Sequence, residues 1–325
     1  MRSTNVLILF SFFLPASTSV LADESPKGVP ASKLVEELSR ALHLDGPRAA
    51  EDRFYESVTV MTNVFTDGTK QPAGAIRLYV QATPGERQKD GKTAFTYACR
   101  RLEIERVDGK KVTVPELETF TYQIEPGLDA KNQVMGIEHS RFLKLKDSSG
   151  NALTFVEPYF VYNTFIDFHA FNDTMASVAL RRIGDSLLVG ERREIPVHLG
   201  DTIQEGSVYR LGDSRVRLNG IGLVSNRPTA VVSFDSGDSS FLMKLALQPK
   251  TTMDVQGYSR FEGIVQVDLA SNWPALCAWK EIVFSETKKD GKTLPGSDQK
   301  MVRVGTITVR AKKDFDKLVE KAAPK

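Results

Sequence analysis

Apolar and polar residues alternate along much of this chain, and Asp-Gly pairs interrupt the alternation. Val58, Val60, Thr62 and Val64 fall on one side of an extended segment, and Ile76, Leu78 and Val80 on one side of the next. A two-residue period is buried by a strand and scattered around a helix. Asp67-Gly68, Asp90-Gly91 and Asp108-Gly109 separate the runs. Glycine takes positive φ without a Cβ clash, so Asp-Gly between alternating runs marks a tight hairpin. Residues 55–125 therefore read as a meander of antiparallel strands, with one long strand from Thr93 to Val107.

The same period returns from Glu194. Val216 and Leu218 oppose Arg215 and Arg217, and Val232 and Phe234 lead into a turn at Asp235-Ser236-Gly237-Asp238. Phe241, Met243, Leu245 and Leu247 share a face, then Val265, Val267 and Leu269, then Ile282 and Phe284. The pentapeptide at Lys89–Thr93 recurs at Lys289–Thr293, at a second hairpin tip, and a last strand spans Met301–Arg310. Helical spacing appears near both ends: Leu34, Val35, Leu38, Ala41 and Leu42 predict a helix over 33–43, and Phe315, Leu318, Val319 and Ala322 predict another. The fold class is thus mainly β, built of antiparallel sheets with short N- and C-terminal helices. It forms either two packed β-domains or one large curved, half-barrel sheet, because open edges invite aggregation. The expected partition is residues 1–22, 23–47, 48–180 and 181–325: signal peptide, leader with helix, first β region, second β region with its helix.

The first 22 residues carry Arg2, an apolar run from Val6 to Leu14, Pro15, and Ser19-Val20-Leu21-Ala22 before the expected cut. This three-part pattern is that of a secretory signal peptide, and its apolar run is too short for a membrane span, which takes about 20 residues. Export to the periplasm or medium is the expected localisation. Losing Arg2 and no acid lowers the net charge from +2 to +1. Such balance argues against nucleic acid as a partner. No cofactor, metal site or transmembrane segment is expected.

Cys99 and Cys277 would both meet an oxidising compartment, where an even count allows a single disulfide. Two separate buried thiols are the alternative. Residues 153–171 hold seven Phe or Tyr and read as a strand followed by a short helix. No two-residue period buries all of these rings on one face, so some must line a second apolar environment. Phe160, Phe165, Phe168 and His169 are the expected ligand-binding residues there.

Two short motifs resemble those of hydrolases. Gly184-Asp185-Ser186-Leu187-Leu188-Val189-Gly190 resembles the nucleophile block of GDSL-type hydrolases, which implies Ser186 as a nucleophile. That family carries an Asp-x-x-His that this chain lacks, and its parallel α/β core disagrees with the alternating pattern here. Val231–Ser240 resembles the Asp-Ser/Thr-Gly loop of aspartic peptidases, which implies Asp235 as one of two paired aspartates. The chain has no second copy, so activity would need a homodimer; the alternative is a plain hairpin loop. The expected function is a secreted or periplasmic, non-enzymatic binder of an apolar small molecule or an envelope protein. A hydrolase using Ser186 or Asp235 is the alternative.

Overall fold

The computed structural model describes residues 48–87, 93–124, 139–153, 157–174, 192–195, 207–210, 212–248 and 251–320. The expected signal peptide, leader and N-terminal helix lie outside these residues, as does Ser186. Among the described residues fourteen strands join in one sheet. They are β1 (Arg53–Val64), β2 (Lys70–Arg87), β3 (Thr93–Glu105), β4 (Lys111–Thr113), β5 (Thr121–Ile124), β6 (Arg192–Ile195) and β7 (Val208–Arg210). The second half supplies β8 (Ser214–Val224), β9 (Arg227–Ser236), β10 (Ser239–Gln248), β11 (Thr251–Asp268), β12 (Pro274–Lys289), β13 (Lys292–Thr293) and β14 (Gln299–Arg310). The described residues also form the helices α1 (His139–Phe142), α2 (Glu157–Asp167), which runs on as a π-helical turn over Phe168–Thr174, and α3 (Lys312–Glu320). The main strand order is β4-β3-β2-β1-β14-β12-β11-β9-β8-β6. The mainly antiparallel β architecture is as the alternation predicts, in its single-sheet form.

Asp-Gly turns set the registers of the meander. Gly68 and Gly109 sit at φ +84° and +79°, conformations that a Cβ would strain. Thr69 N–H donates to Asp67 Oδ1 at 2.8 Å, and Lys110 N–H to Asp108 Oδ1 at 2.9 Å, so the aspartate closes each turn through its own side chain. The β12–β13 turn carries Asp290 and Gly291 at φ +48° and +77°, as a tight hairpin requires.

The Asp235–Asp238 segment corrects the hairpin reading. β9 pairs with β11 from Glu262 to Asp268, and β10 pairs with the same edge of β11 from Thr251 to Ser259. The two strands therefore lie end to end, with a break between them. The break is stitched across the sheet: Gly237 N–H donates to Asp213 O at 2.8 Å, and Phe261 N–H to Ser236 Oγ at 3.1 Å.

Residues 157–174 correct the strand expected in the aromatic stretch: they are helical. Helical spacing solves the burial problem that a two-residue period could not. Phe165 packs against Phe120, Tyr122 and Phe142, with centroids at 5.7, 5.9 and 5.6 Å. Phe168 meets Tyr55 at 5.5 Å and Tyr97 at 6.4 Å. Phe171 stacks on Trp279 at 4.6 Å and on Phe234 at 5.8 Å. Three rings three residues apart thus reach three groups of strands on one face. Trp279 lies flat over Gly305 of the neighbouring strand, where a Cβ would stand 2.1 Å from its ring.

An ion pair ties each end of α2 to the sheet. At the first end Arg106 Nε donates to Glu157 at 2.6 Å, and its Nη2 to Asp147 at 3.2 Å. At the other end Arg303 of β14 bridges Asp167 and Glu281. Burial pushes the Asp167 carboxyl up to about 6, against the pull of Arg303 and with the repulsion of Glu281.

Of the two readings of Cys99 and Cys277, the bridge is not formed and the separate buried thiols are what the structure has. Both are buried free thiols, Cys99 on β3 and Cys277 on β12, with β2, β1 and β14 between them. Neighbouring strands stand about 4.8 Å apart, so four such steps exceed the reach of a disulfide. Burial pushes the Cys99 thiol far up, which keeps it protonated.

Candidate functional site

The strand registers place two faces. Arg303, Gly305 and Ile307 of β14 point toward α2. Residues of opposite parity therefore point to the other face, because successive strand side chains alternate. One row across that outer face reads Arg210, Ser240, Tyr258, Phe284, Lys300, Val64, each residue paired with the next. The adjacent row reads Val208, Leu242, Gln256, Glu286. Both rows line a cleft of about 1100 Å³, closed at one side by Phe65, Thr66 and Gly68 of the β1–β2 turn.

The cleft's walls are aromatic and aliphatic, with charge at the margins. Tyr258 and Phe284 stack with centroids 5.0 Å apart and planes 24° apart. Lys300 Nζ sits 5.5 Å above the Phe284 ring, a cation–π contact. Tyr258 of β11 is 46% exposed and Phe65 of the β1–β2 turn 49%, large values for aromatic rings. Glu286 is engaged: Gln256 donates to it, and Lys288 pairs with it at 3.1 Å and holds its carboxyl below the usual range. Among the described residues no carboxylate pairs with Arg210.

The expected site residues lie elsewhere. Phe160, Phe165, Phe168 and His169 come together on α2 and its π-helical turn, on the opposite face from the cleft. Phe165 and Phe168 are fully enclosed by the rings described above. His169 is buried too, and its Nε2 shares a 2.8 Å hydrogen bond with the Tyr122 hydroxyl. Asp235 stands on β9 rather than in a loop, with Arg215 at 3.9 Å, and Asp238 pairs with Arg260. Sequence reasoning missed Tyr258, Ser240 and Arg210. No local sequence pattern marks them, and only register brings the three side by side.

No protein-family model matches the chain, and no curated protein does. Among solved structures it is similar to a loop-deletion mutant of OmpT, an outer membrane protein of Vibrio cholerae. That match has 8% identity and a TM-score of 0.22, over 81% of this chain and 100% of that one. The trimer form of in-vitro folded OmpT gives 8% identity and a TM-score of 0.21, over 80% and 99%. No helix among the described residues is long and apolar enough to cross a membrane.

Proposed function

We propose that this chain is an exported, non-enzymatic binding protein of the cell envelope or medium, and that it holds an apolar small molecule in the outer-face cleft. The supporting observation is the stacked Tyr258–Phe284 pair, Tyr258 exposed and Phe284 half-buried, in a concave, mostly apolar setting. Leaving apolar surface in water costs about 25 cal/mol per Å². Contiguous exposed apolar surface rimmed by charge therefore points to a binding role. Small-molecule sites run about 300–1,000 Å³ with a few polar groups at the edge, and this cleft has that composition at a volume just above that range.

The test is titration of the purified mature protein with N-phenyl-1-naphthylamine, whose fluorescence rises in an apolar site. Wild type should show saturable binding. Leu242→Asp, which sets a carboxylate in the cleft wall, should weaken it at least tenfold while leaving thermal unfolding nearly unchanged. Equal binding by both proteins, or none by wild type, would overturn the reading.

A further inference from the structure

Ser240 pairs with Arg210 on one side and with Tyr258 on the other, so a small side chain separates a guanidinium from an aromatic ring in one outward-facing row. All three residues are exposed. Two strand spacings put the flanking backbones about 9.5 Å apart. A planar ring held between two flat groups needs about 3.5–4 Å on each side, or roughly 7–8 Å in all. A slight inward lean of the long Arg210 side chain would close the difference. The opposite face of the Tyr258–Phe284 stack is already taken: Tyr258 covers one side of Phe284, and Lys300 covers another. The remaining ring face of Tyr258 therefore looks over Ser240 toward Arg210.

We propose that this slot takes one planar aromatic ring bearing an acid group, sandwiched between the Tyr258 ring and the Arg210 guanidinium above Ser240. This rests on the reading of the cleft as a binding site and names its ligand class. Two chemical features favour an aromatic acid over an alkyl chain. A guanidinium stacks flat on an aromatic face and offers N–H donors at its edge to a carboxylate. A flat slot gives an alkyl chain, which has no π-face, little advantage over the rest of the cleft. Ser240 is small enough to leave the floor open and supplies a hydroxyl to it.

The experiment measures displacement of N-phenyl-1-naphthylamine by three competitors: 1-naphthoate, neutral 1-naphthalenemethanol and octanoate. 1-Naphthoate should compete at least tenfold better than octanoate and several-fold better than the neutral alcohol. Arg210→Lys keeps the charge and removes the flat stacking group, so it should cost 1-naphthoate about tenfold and octanoate little. Ser240→Leu should fill the floor with the same pattern, and both sites are exposed enough for the variants to fold. If Arg210→Lys and Ser240→Leu bind 1-naphthoate as wild type does, the slot is overturned and the cleft stands. The slot also falls if octanoate competes as well as 1-naphthoate. If wild type binds no reporter at all, the cleft falls with it.

Discussion

On the face under α2, Phe165, Phe168 and Phe171 each reach a different group of strands and are buried. On the other face, Tyr258 and Phe284 stack on each other, and Tyr258 keeps 46% of its surface exposed. Both sets of rings stand on ordered backbone. The difference is cover. A helix tied down at both ends by Arg106 and Arg303 closes the first face. Among the described residues the second is covered at one end, where Phe315 of α3 packs between Phe54 at 5.3 Å and Tyr79 at 6.2 Å. Aromatic residues thus serve stability on one side of a sheet and remain available on the other, and composition alone does not say which.

The sharpest way to break this comparison is Phe165→Ala. It should cost about 3–5 kcal/mol of stability, as for a fully buried ring, and leave the affinity of the remaining folded protein for N-phenyl-1-naphthylamine unchanged. Urea unfolding beside the dye titration checks both. A loss of dye binding in the folded variant would mean that the covered face is the ligand site.

Tyr258→Ala probes the opposite face. Stability should fall by no more than about 0.5–1.5 kcal/mol, the worth of an aromatic pair, while dye binding weakens strongly. A large destabilisation measured by urea would show that the outer pair is core after all.

A pH series examines how α2 is held. Asp167 has an ordinary value of 3.8, and burial raises it to about 6 in the folded protein. The folded state therefore binds this proton more tightly than the unfolded one. That preference supports the fold fully below about pH 4 and is lost as pH rises through about 6. Asp167→Asn has no such proton, so its stability relative to wild type should rise between pH 4.5 and pH 7. A constant difference in urea midpoints across that range would contradict the buried placement of Asp167.

The smallest effect is expected at α3. Lys317 and Asp314 form an exposed pair at 3.7 Å. Lys317→Ala should shift stability by only a few tenths of a kcal/mol, because screened helix pairs contribute little. Thermal melts would show whether the α3 cover rests on Phe315 or on surface charge.

Much of the sheet was legible in the sequence. β2 to β4, the β12–β13 hairpin, β14 and α3 follow directly from the alternation, the Asp-Gly pairs and the final helical spacing; β1 is a strand as read, but its apolar side, Val58, Val60 and Val64, faces outward, and Val60 is exposed. β11 was half hidden. On its inward parity, from Met253 to Val267, it carries Gly257, Ser259 and Gly263 where alternation would want apolar residues. The reason lies in neighbouring strands: a Cβ at Gly263 would stand 2.5 Å from the Phe234 ring, which fills that place instead. The break at Asp235–Asp238 looked like a hairpin because turn residues mark any interruption of a strand, and only pairing to β11 tells the two apart. The aromatic stretch signalled burial correctly but not its form, since rings spaced by three suit a helix crossing a sheet. The candidate site was the least legible part. Arg210, Ser240 and Tyr258 are distant in sequence and meet through registers that no local pattern encodes.

β14 lies between β1 and β12, in the middle of the sheet rather than at its edge. Phe54 pairs with Arg310 and Val64 with Lys300, so the central seam joins segments separated by most of the chain. Contacts this remote in sequence slow folding, because loop entropy is lost before the contact forms. A chain delivered N-terminus first would hold β1 and β12 as bare edges until residue 310 had emerged, and in that interval either edge could recruit a second copy. Its yield on refolding should therefore depend on concentration even though each molecule completes its own sheet.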